Sequence, residues 1–257
     1  MGVLSFLGSA ELLGACWAFC YNKDMHREDT KYTGKGLQML PGRAFGRVFL
    51  SSLLGLLLSA LIFCLLLFCV LSLKGLYPPF AQDSVNLYQL SDDEIHENYS
   101  RMVDYLLQPQ PGELAFIKLP MSEEGRIHFA DVRALVQGLF RLTLPALGLA
   151  LPLAYLLFVK KQDRLALKWS AGFCLFFPLL IGSAMLINFE ESFIAFHRLF
   201  FRNDFWLFDP ARDPIILYLP SSFFAAMGGL LLLLLILAAV LQYVLAQVKG
   251  GFRKFGP

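Results

Sequence analysis

Hydrophobic and polar positions fall along this chain in long blocks rather than at short period. Four apolar blocks, 48–73, 142–159, 165–187 and 223–248, are each able as a helix to cross ~30 Å of hydrocarbon, which takes about 20 residues. The second is the shortest and extends outward through Leu135 and Phe140, with Arg141 snorkelling. This pattern predicts an all-α membrane protein with four transmembrane helices. A polar loop, 74–137, separates the first two blocks and another, 188–222, the last two.

The first loop reads as a small ordered cap. Ser91-Asp92-Asp93-Glu94 is a helix start with carboxylates in its first turn. Ile95, Tyr99, Met102, Val103 and Leu106 then recur at helical spacing, and Pro109 and Pro111 stop the helix. Residues 114–119 suggest a short strand or extended segment, followed by a turn through Glu124-Gly125. Arg126 to Val132 leads into the second span, which puts His128 near the outer mouth of a transmembrane helix. With no internal repeat, 39–257 reads as one four-span membrane domain. Residues 1–38 read as an extension outside the functional core, with an interfacial helix as the other option. Glu11 and the lack of a leading basic residue make them a poor signal peptide, and the same leader disfavours lipoprotein processing at Cys16.

Composition agrees, with 57% hydrophobic and 16% charged residues, and gives no sign of a soluble domain or a nucleic-acid binder. The net charge of +2 matters less than its distribution. Lys23, Arg27, Lys31, Lys35, Arg43 and Arg47 precede the first span. Lys160, Lys161, Arg164 and Lys168 bracket the turn between the second and third, and Lys249, Arg253 and Lys254 follow the fourth. The loop 74–137 is instead acidic. The positive-inside bias therefore predicts cytoplasmic N- and C-termini and two external loops. None of Cys16, Cys20, Cys64, Cys69 and Cys174 lies in those loops, which leaves no structural disulfide or thiol nucleophile there.

The external loops hold three histidines. His128 and Asp131 stand at i, i+3 on one helical face, where a carboxylate fixes an imidazole tautomer and stabilises the imidazolium that a general base becomes. A plain helix cap with an exposed histidine explains the same pair. His96, among acidic neighbours, reads as a solvated cap residue. His197 keeps richer company. Phe193, Phe196, Phe200 and Phe201 surround it at helical spacing, which alone would mean packing. Asn203 can donate to a developing oxyanion. Arg198, Arg202 and Arg212 can bind carbonyl or phosphate groups or sit at headgroup level. Trp206 suits an interfacial belt. Asp209 and Asp213 serve as turn residues beside Pro210 and Pro214, or orient a histidine or arginine. Taken singly, each is explained by packing; their concentration in one short connection points to chemistry.

H-E-x-x-H, G-x-S-x-G and Walker-type motifs are missing. Two widely separated histidines make no metal site without a further ligand of defined spacing. Neither a metal nor a cofactor is expected.

The loop 188–222 and the start of the fourth span resemble the bacterial lipoprotein intramolecular transacylases, the Lit family. The matching residues are Phe189, Phe193, Phe196-His197, Phe200-Phe201, Asn203, Trp206, Asp209-Pro210, Asp213, Pro220 and Phe224. A second signature is His128-Phe129-x-Asp131-Val132, preceded in the cap by Asn98-Tyr99 and Tyr105. The resemblance runs from about Met39 onward; residues 1–38 and Ser221-Ser222 depart from it. It implies a multi-pass protein of the bacterial cytoplasmic membrane whose substrate is a diacylglyceryl lipoprotein in membrane lipid. The reaction implied moves the sn-2 acyl chain of the S-diacylglyceryl cysteine to its own α-amine, giving the lyso-form.

On this reading His128, His197 and Asp131 are the catalytic candidates. Asn203, Arg202, Trp206, Tyr99, Asp209, Asp213 and Phe201 contact substrate or oxyanion. Which imidazole is the base, and whether an acyl-enzyme forms, stay open. A monomer is favoured. The competing functions are a non-enzymatic four-span lipid-binding or scaffold protein and a hydrolase or acyltransferase acting on phospholipid.

Overall fold

In the computed structural model, residues 41–81 and 86–248 are described; the expectations for residues 1–38 lie outside them. The chain forms α1 (Pro41–Ser72), α2 (Asp92–Leu107), α3 (Glu123–Ala154, continued by a π-helical turn at Tyr155–Lys160), α4 (Leu165–Ile187), α5 (Phe189–Phe200) and α6 (Ser221–Gln247). Among the described residues there is no strand. The four long helices α1, α3, α4 and α6 have the length and apolarity of membrane spans. Exposed aliphatic side chains, such as Leu65, Leu144, Ile181 and Leu237, cover their outer faces, as lipid-facing helices require.

Small residues let these helices approach closely. An added Cβ on Gly55 of α1 would meet Trp169 Cβ at 2.5 Å and the Ser170 backbone nitrogen at 2.9 Å. Ala171 and Cys174 of α4 pack on Leu235 and Ala239 of α6. At the end of the bundle away from the cap, Arg47 Nε donates to Asp163 Oδ2 at 2.7 Å, while Asp163 Oδ1 accepts from the Leu165 backbone at 2.9 Å. One carboxylate thus ties the α3–α4 turn to α1 and satisfies the first backbone N–H of α4.

The second span departs most from expectation. The helix begins at Glu123, well before 142, and runs unbroken into the apolar block; with its π turn it spans 38 residues. That length is about 57 Å at 1.5 Å per residue, nearly twice the hydrocarbon thickness. Its first part carries Glu123, Glu124, Arg126, Asp131 and Arg133, and the apolar block expected to cross the membrane follows Arg141. Glu124-Gly125 is therefore not a turn but the first turn of α3, capped by Ser122, whose Oγ accepts from the Gly125 backbone at 2.9 Å.

The cap packs on this projecting part. α2 starts with a capping box, Ser91 Oγ accepting from Glu94 N and Glu94 Oε2 from Ser91 N. The residues expected to face inward, Ile95, Tyr99, Met102, Val103 and Leu106, are buried. The last carbonyls of α2 lack intrahelical partners, and α3 supplies them. Arg133 donates to the carbonyls of Tyr105, Gln108 and Pro109, and Gln137 to those of Leu106 and Leu107. The segment 114–119 forms no strand and bends at Ile117-Lys118, where Lys118 takes a φ of 58°. Buried Asn98 takes the place of a neighbouring strand, pairing with both backbone groups of Ile117 at 3.1 and 2.6 Å.

Candidate active site

His128 lies nearly two turns beyond the Ser122 cap of α3. His197 lies near the end of α5, a helix separated from α4 by Asn188 alone; the Asn188 side chain accepts from Glu191 N at 3.2 Å and so starts α5. The two imidazoles face each other with ring centroids 5.8 Å apart. They are only 6% and 8% exposed. Aromatic rings close the space around them. Phe201 lies 5.0 Å from His128 and 5.6 Å from His197, Phe208 stands edge-on to His128 at 5.4 Å, and Trp206 and Phe193 flank His197 at 4.8 and 4.1 Å.

Burial in this apolar enclosure disfavours imidazolium. It lowers His128 from 6.5 to about 4, with His197 adding to the depression and Asp131 opposing it. Burial also lowers His197, partly offset by the bond to the Phe193 carbonyl. Both rings are thus neutral near pH 7. His197 Nδ1 lies 2.7 Å from the carbonyl oxygen of Phe193. Only a protonated Nδ1 makes that bond, so Nε2 carries the lone pair and is the basic atom. His128 Nδ1 is buried without a partner.

The polar residues around the pair hold its walls in place. Asn203 Nδ2 donates to Asp131 Oδ2 at 3.0 Å, and Asn203 Oδ1 accepts from the Phe205 backbone at 3.2 Å. Asp131 therefore grips the loop rather than the partnerless Nδ1 of His128, and Asn203 is largely committed. Asp213, 4% exposed, accepts from both the backbone N and Oγ of Ser122, at 2.7 and 2.6 Å. An added Cβ on Gly125 would come within 2.3 Å of Asp213 Oδ1, so only glycine admits the carboxylate there. Asp209 is exposed and closes the preceding turn, accepting from the Ala211 backbone through Oδ1 and from Arg212 and Asp213 through its carbonyl.

Of the residues expected to meet substrate, the structure brings Trp206 and Phe201 against the imidazoles and sets Asn203 and Asp213 behind them. Arg202 is exposed. Tyr99 is in the cap core, stacked on Tyr77 at 4.2 Å and edge-on to Phe223 at 5.4 Å. Sequence reasoning missed Phe208, Ser122 and Gly125. Ser122 followed by two glutamates was a readable helix cap, but nothing local announced its bond to Asp213. Among the described residues, no group of three or more His, Cys, Asp or Glu side chains is arranged to hold a metal.

No curated protein matches the chain. A family model described as lipoprotein intramolecular transacylase Lit matches residues 52–224, which takes in both histidines, Asp131, Trp206 and Asp213. A solved structure of the membrane-integral Lit of Bacillus cereus is similar at a TM-score of 0.71 and 30% identity, covering 79% of this chain and 94% of that one. Two variants of that protein, a histidine-to-alanine and a histidine-to-arginine substitution, give TM-scores of 0.70 and 0.69 at 29% identity, covering 82% and 80% of this chain and 96% and 92% of theirs. A four-span helical bundle, an enclosed histidine pair and a family match over most of the chain agree: this protein belongs to the lipoprotein intramolecular transacylase (Lit) family.

Proposed function

We propose that this acyltransferase moves the sn-2 acyl chain of an S-diacylglyceryl cysteine to the α-amine of the same cysteine, at the extracytoplasmic face of a bacterial cytoplasmic membrane. One observation carries the reading: two neutral, buried imidazoles face each other in an aromatic enclosure at the end of the bundle where the loops are acidic. The described basic residues Arg47, Lys160, Lys161 and Arg164 fall at the other end, which supports cytoplasmic termini.

Aminolysis of an ester needs a base for the ammonium, stabilisation of the tetrahedral oxyanion, and a proton for the departing alkoxide. The ammonium first releases one proton to water, and His197 Nε2, with its tautomer held by Phe193, takes a second from the attacking amine. The amine nitrogen then bonds to the acyl carbon, and the carbonyl electron pair moves onto oxygen. When that pair returns, the sn-2 C–O bond breaks and the alkoxide takes the proton that His197 accepted from the amine, delivered by His197 or relayed through the facing His128. Asp131 raises the basicity of His128 through its charge and, with Asn203, holds the wall beside it. Amine and ester belong to one molecule, so holding them together can lower the barrier by about 7–11 kcal/mol. No covalent enzyme intermediate is required, because the amine is itself the nucleophile.

The test is mass spectrometry of N-terminal lipopeptides from cells carrying this protein, His128→Ala or His197→Ala. Lyso-form product is expected with the unaltered protein and lost with either variant; normal product from both variants would overturn the assignment. Supplying labelled phospholipid with doubly labelled lipoprotein separates the intramolecular shift from phospholipid-directed transfer. Only the former keeps both labels on one molecule.

A further inference from the structure

The geometry points to Trp206 as the hydrogen-bond donor to the oxyanion, a role that rests on the reaction proposed above. The donors near the two imidazoles are few, and most are committed. Asn203 gives one amide N–H to Asp131 and its oxygen to Phe205 N. The Nδ1–H of His197 is held by the Phe193 carbonyl. Arg198 and Arg202 are exposed. Two buried nitrogens are left without partners, His128 Nδ1 and Trp206 Nε1.

These two differ in kind. An imidazole nitrogen gains or loses a proton during turnover, which suits an acid or base. The indole N–H only donates and does not ionise, so it can serve an oxyanion at every stage without losing its proton. A tryptophan in an interfacial belt keeps its N–H toward water or headgroups. Trp206 is 7% exposed, its Nε1 is buried, and its ring lies tilted at 30° against His197 with centroids 4.8 Å apart. A buried donor without an acceptor is unfavourable, and the carbonyl oxygen of a bound ester supplies one. As the amine nitrogen bonds to the acyl carbon, the carbonyl pair localises on that oxygen and strengthens the bond from Nε1. When the pair returns and the sn-2 C–O bond breaks, the strengthening ends. The contribution therefore belongs to the transition state.

Trp206→Phe keeps a ring and removes the N–H. In detergent-solubilised or reconstituted full-length protein, it is expected to lower kcat about 100-fold with KM little changed. A diacylglyceryl lipopeptide bearing a phosphonate in place of the sn-2 ester mimics the tetrahedral anion; Trp206→Phe should weaken its binding while leaving binding of the ester substrate intact. Wild-type kcat in Trp206→Phe, or equal losses for both ligands, would overturn the role. If Trp206→Phe proves too unstable to assay, Phe208→Leu is the packing control: equal weakening of both ligands there, against selective weakening in Trp206→Phe measured at reduced temperature, upholds it. Failure of the wild-type protein to form lyso-lipopeptide would instead overturn the underlying reaction, so the two failures are distinguishable.

Discussion

Asp213 closes on Ser122 from far along the chain, its two carboxylate oxygens accepting from the Ser122 backbone N at 2.7 Å and Oγ at 2.6 Å. Ser122 Oγ in turn caps α3, the helix that carries His128. Asp213 follows the segment that carries Phe201, Trp206 and Phe208. One carboxylate therefore fixes the position of the enclosure's wall relative to the start of the helix that carries His128.

Asp213→Ala leaves the partly buried Ser122 backbone N–H without its partner, which costs about 1 kcal/mol. Gly125→Ala attacks the same contact from the other side, since its methyl group must expel the carboxylate. Both variants are expected to lower thermal stability and lyso-lipopeptide formation together. The double variant should be little worse than either alone, because both break one interaction. Additive losses in a thermal-shift and turnover series would show that Asp213 acts elsewhere.

The depressed histidines make stability depend on pH. His128 has a folded-state pKa of about 4 against 6.5 in the unfolded chain, and His197 is also lowered. Between those values the unfolded state binds more protons. The stability from burying neutral His128 is complete above pH 6.5 and is lost as pH falls toward about 4. Melting temperature should decline across that window, and His128→Gln should flatten the decline. A variant whose slope matches the parent would contradict the enclosed, neutral imidazole.

Asp131 and Asn203 offer an exchange test. Asn203→Ala frees the wall from Asp131 and is expected to reduce turnover about 10-fold or more, the effect of misplacing a positioned group. Exchanging the two, Asp131→Asn with Asn203→Asp, rebuilds an amide–carboxylate bond and should recover most of that loss. Turnover of the exchanged protein that stays at the single-variant level would mean that the charge must sit on α3.

Replacing either His128 or His197 by alanine is expected to lower turnover by about 10²–10⁴, the usual worth of a general acid or base. The double replacement should cost much less than the product of the two, because in the proposed reaction the rings serve one proton circuit. Single-turnover assays on purified protein would read this directly.

Arg133 and Gln137 bind the end of α2 to α3 through five carbonyls. Arg133→Ala with Gln137→Ala should loosen the cap, raising hydrogen exchange in 92–108 before the spans are affected. Unchanged protection there would show that the apolar cap core alone holds α2.

The elements legible in sequence were those whose signals are local. α4 falls at the expected bounds because Arg164 and Asn188 interrupt an otherwise apolar run. The α2 start was readable because Ser91 and Glu94 form a self-contained box. The start of α3 was misread because Gly125 ordinarily signals a turn, and its reason for being in a helix is a carboxylate brought there by tertiary structure. Asp213, between Pro210 and Pro214, looked like turn punctuation for the same reason. His197 could be singled out by its aromatic company; that it faces His128 required two chain segments to meet, and the family resemblance joined them before distance could.

The unbroken run of α3 from Glu123 into the lipid has a mechanical consequence. His128 is rigidly attached to one span, and His197 hangs from another through the single residue Asn188. A change in bilayer thickness that tilts one span relative to the other must widen or narrow the gap between the imidazoles. The site is thereby a gauge of the membrane it sits in, and turnover measured in bilayers of graded acyl-chain length should pass through an optimum.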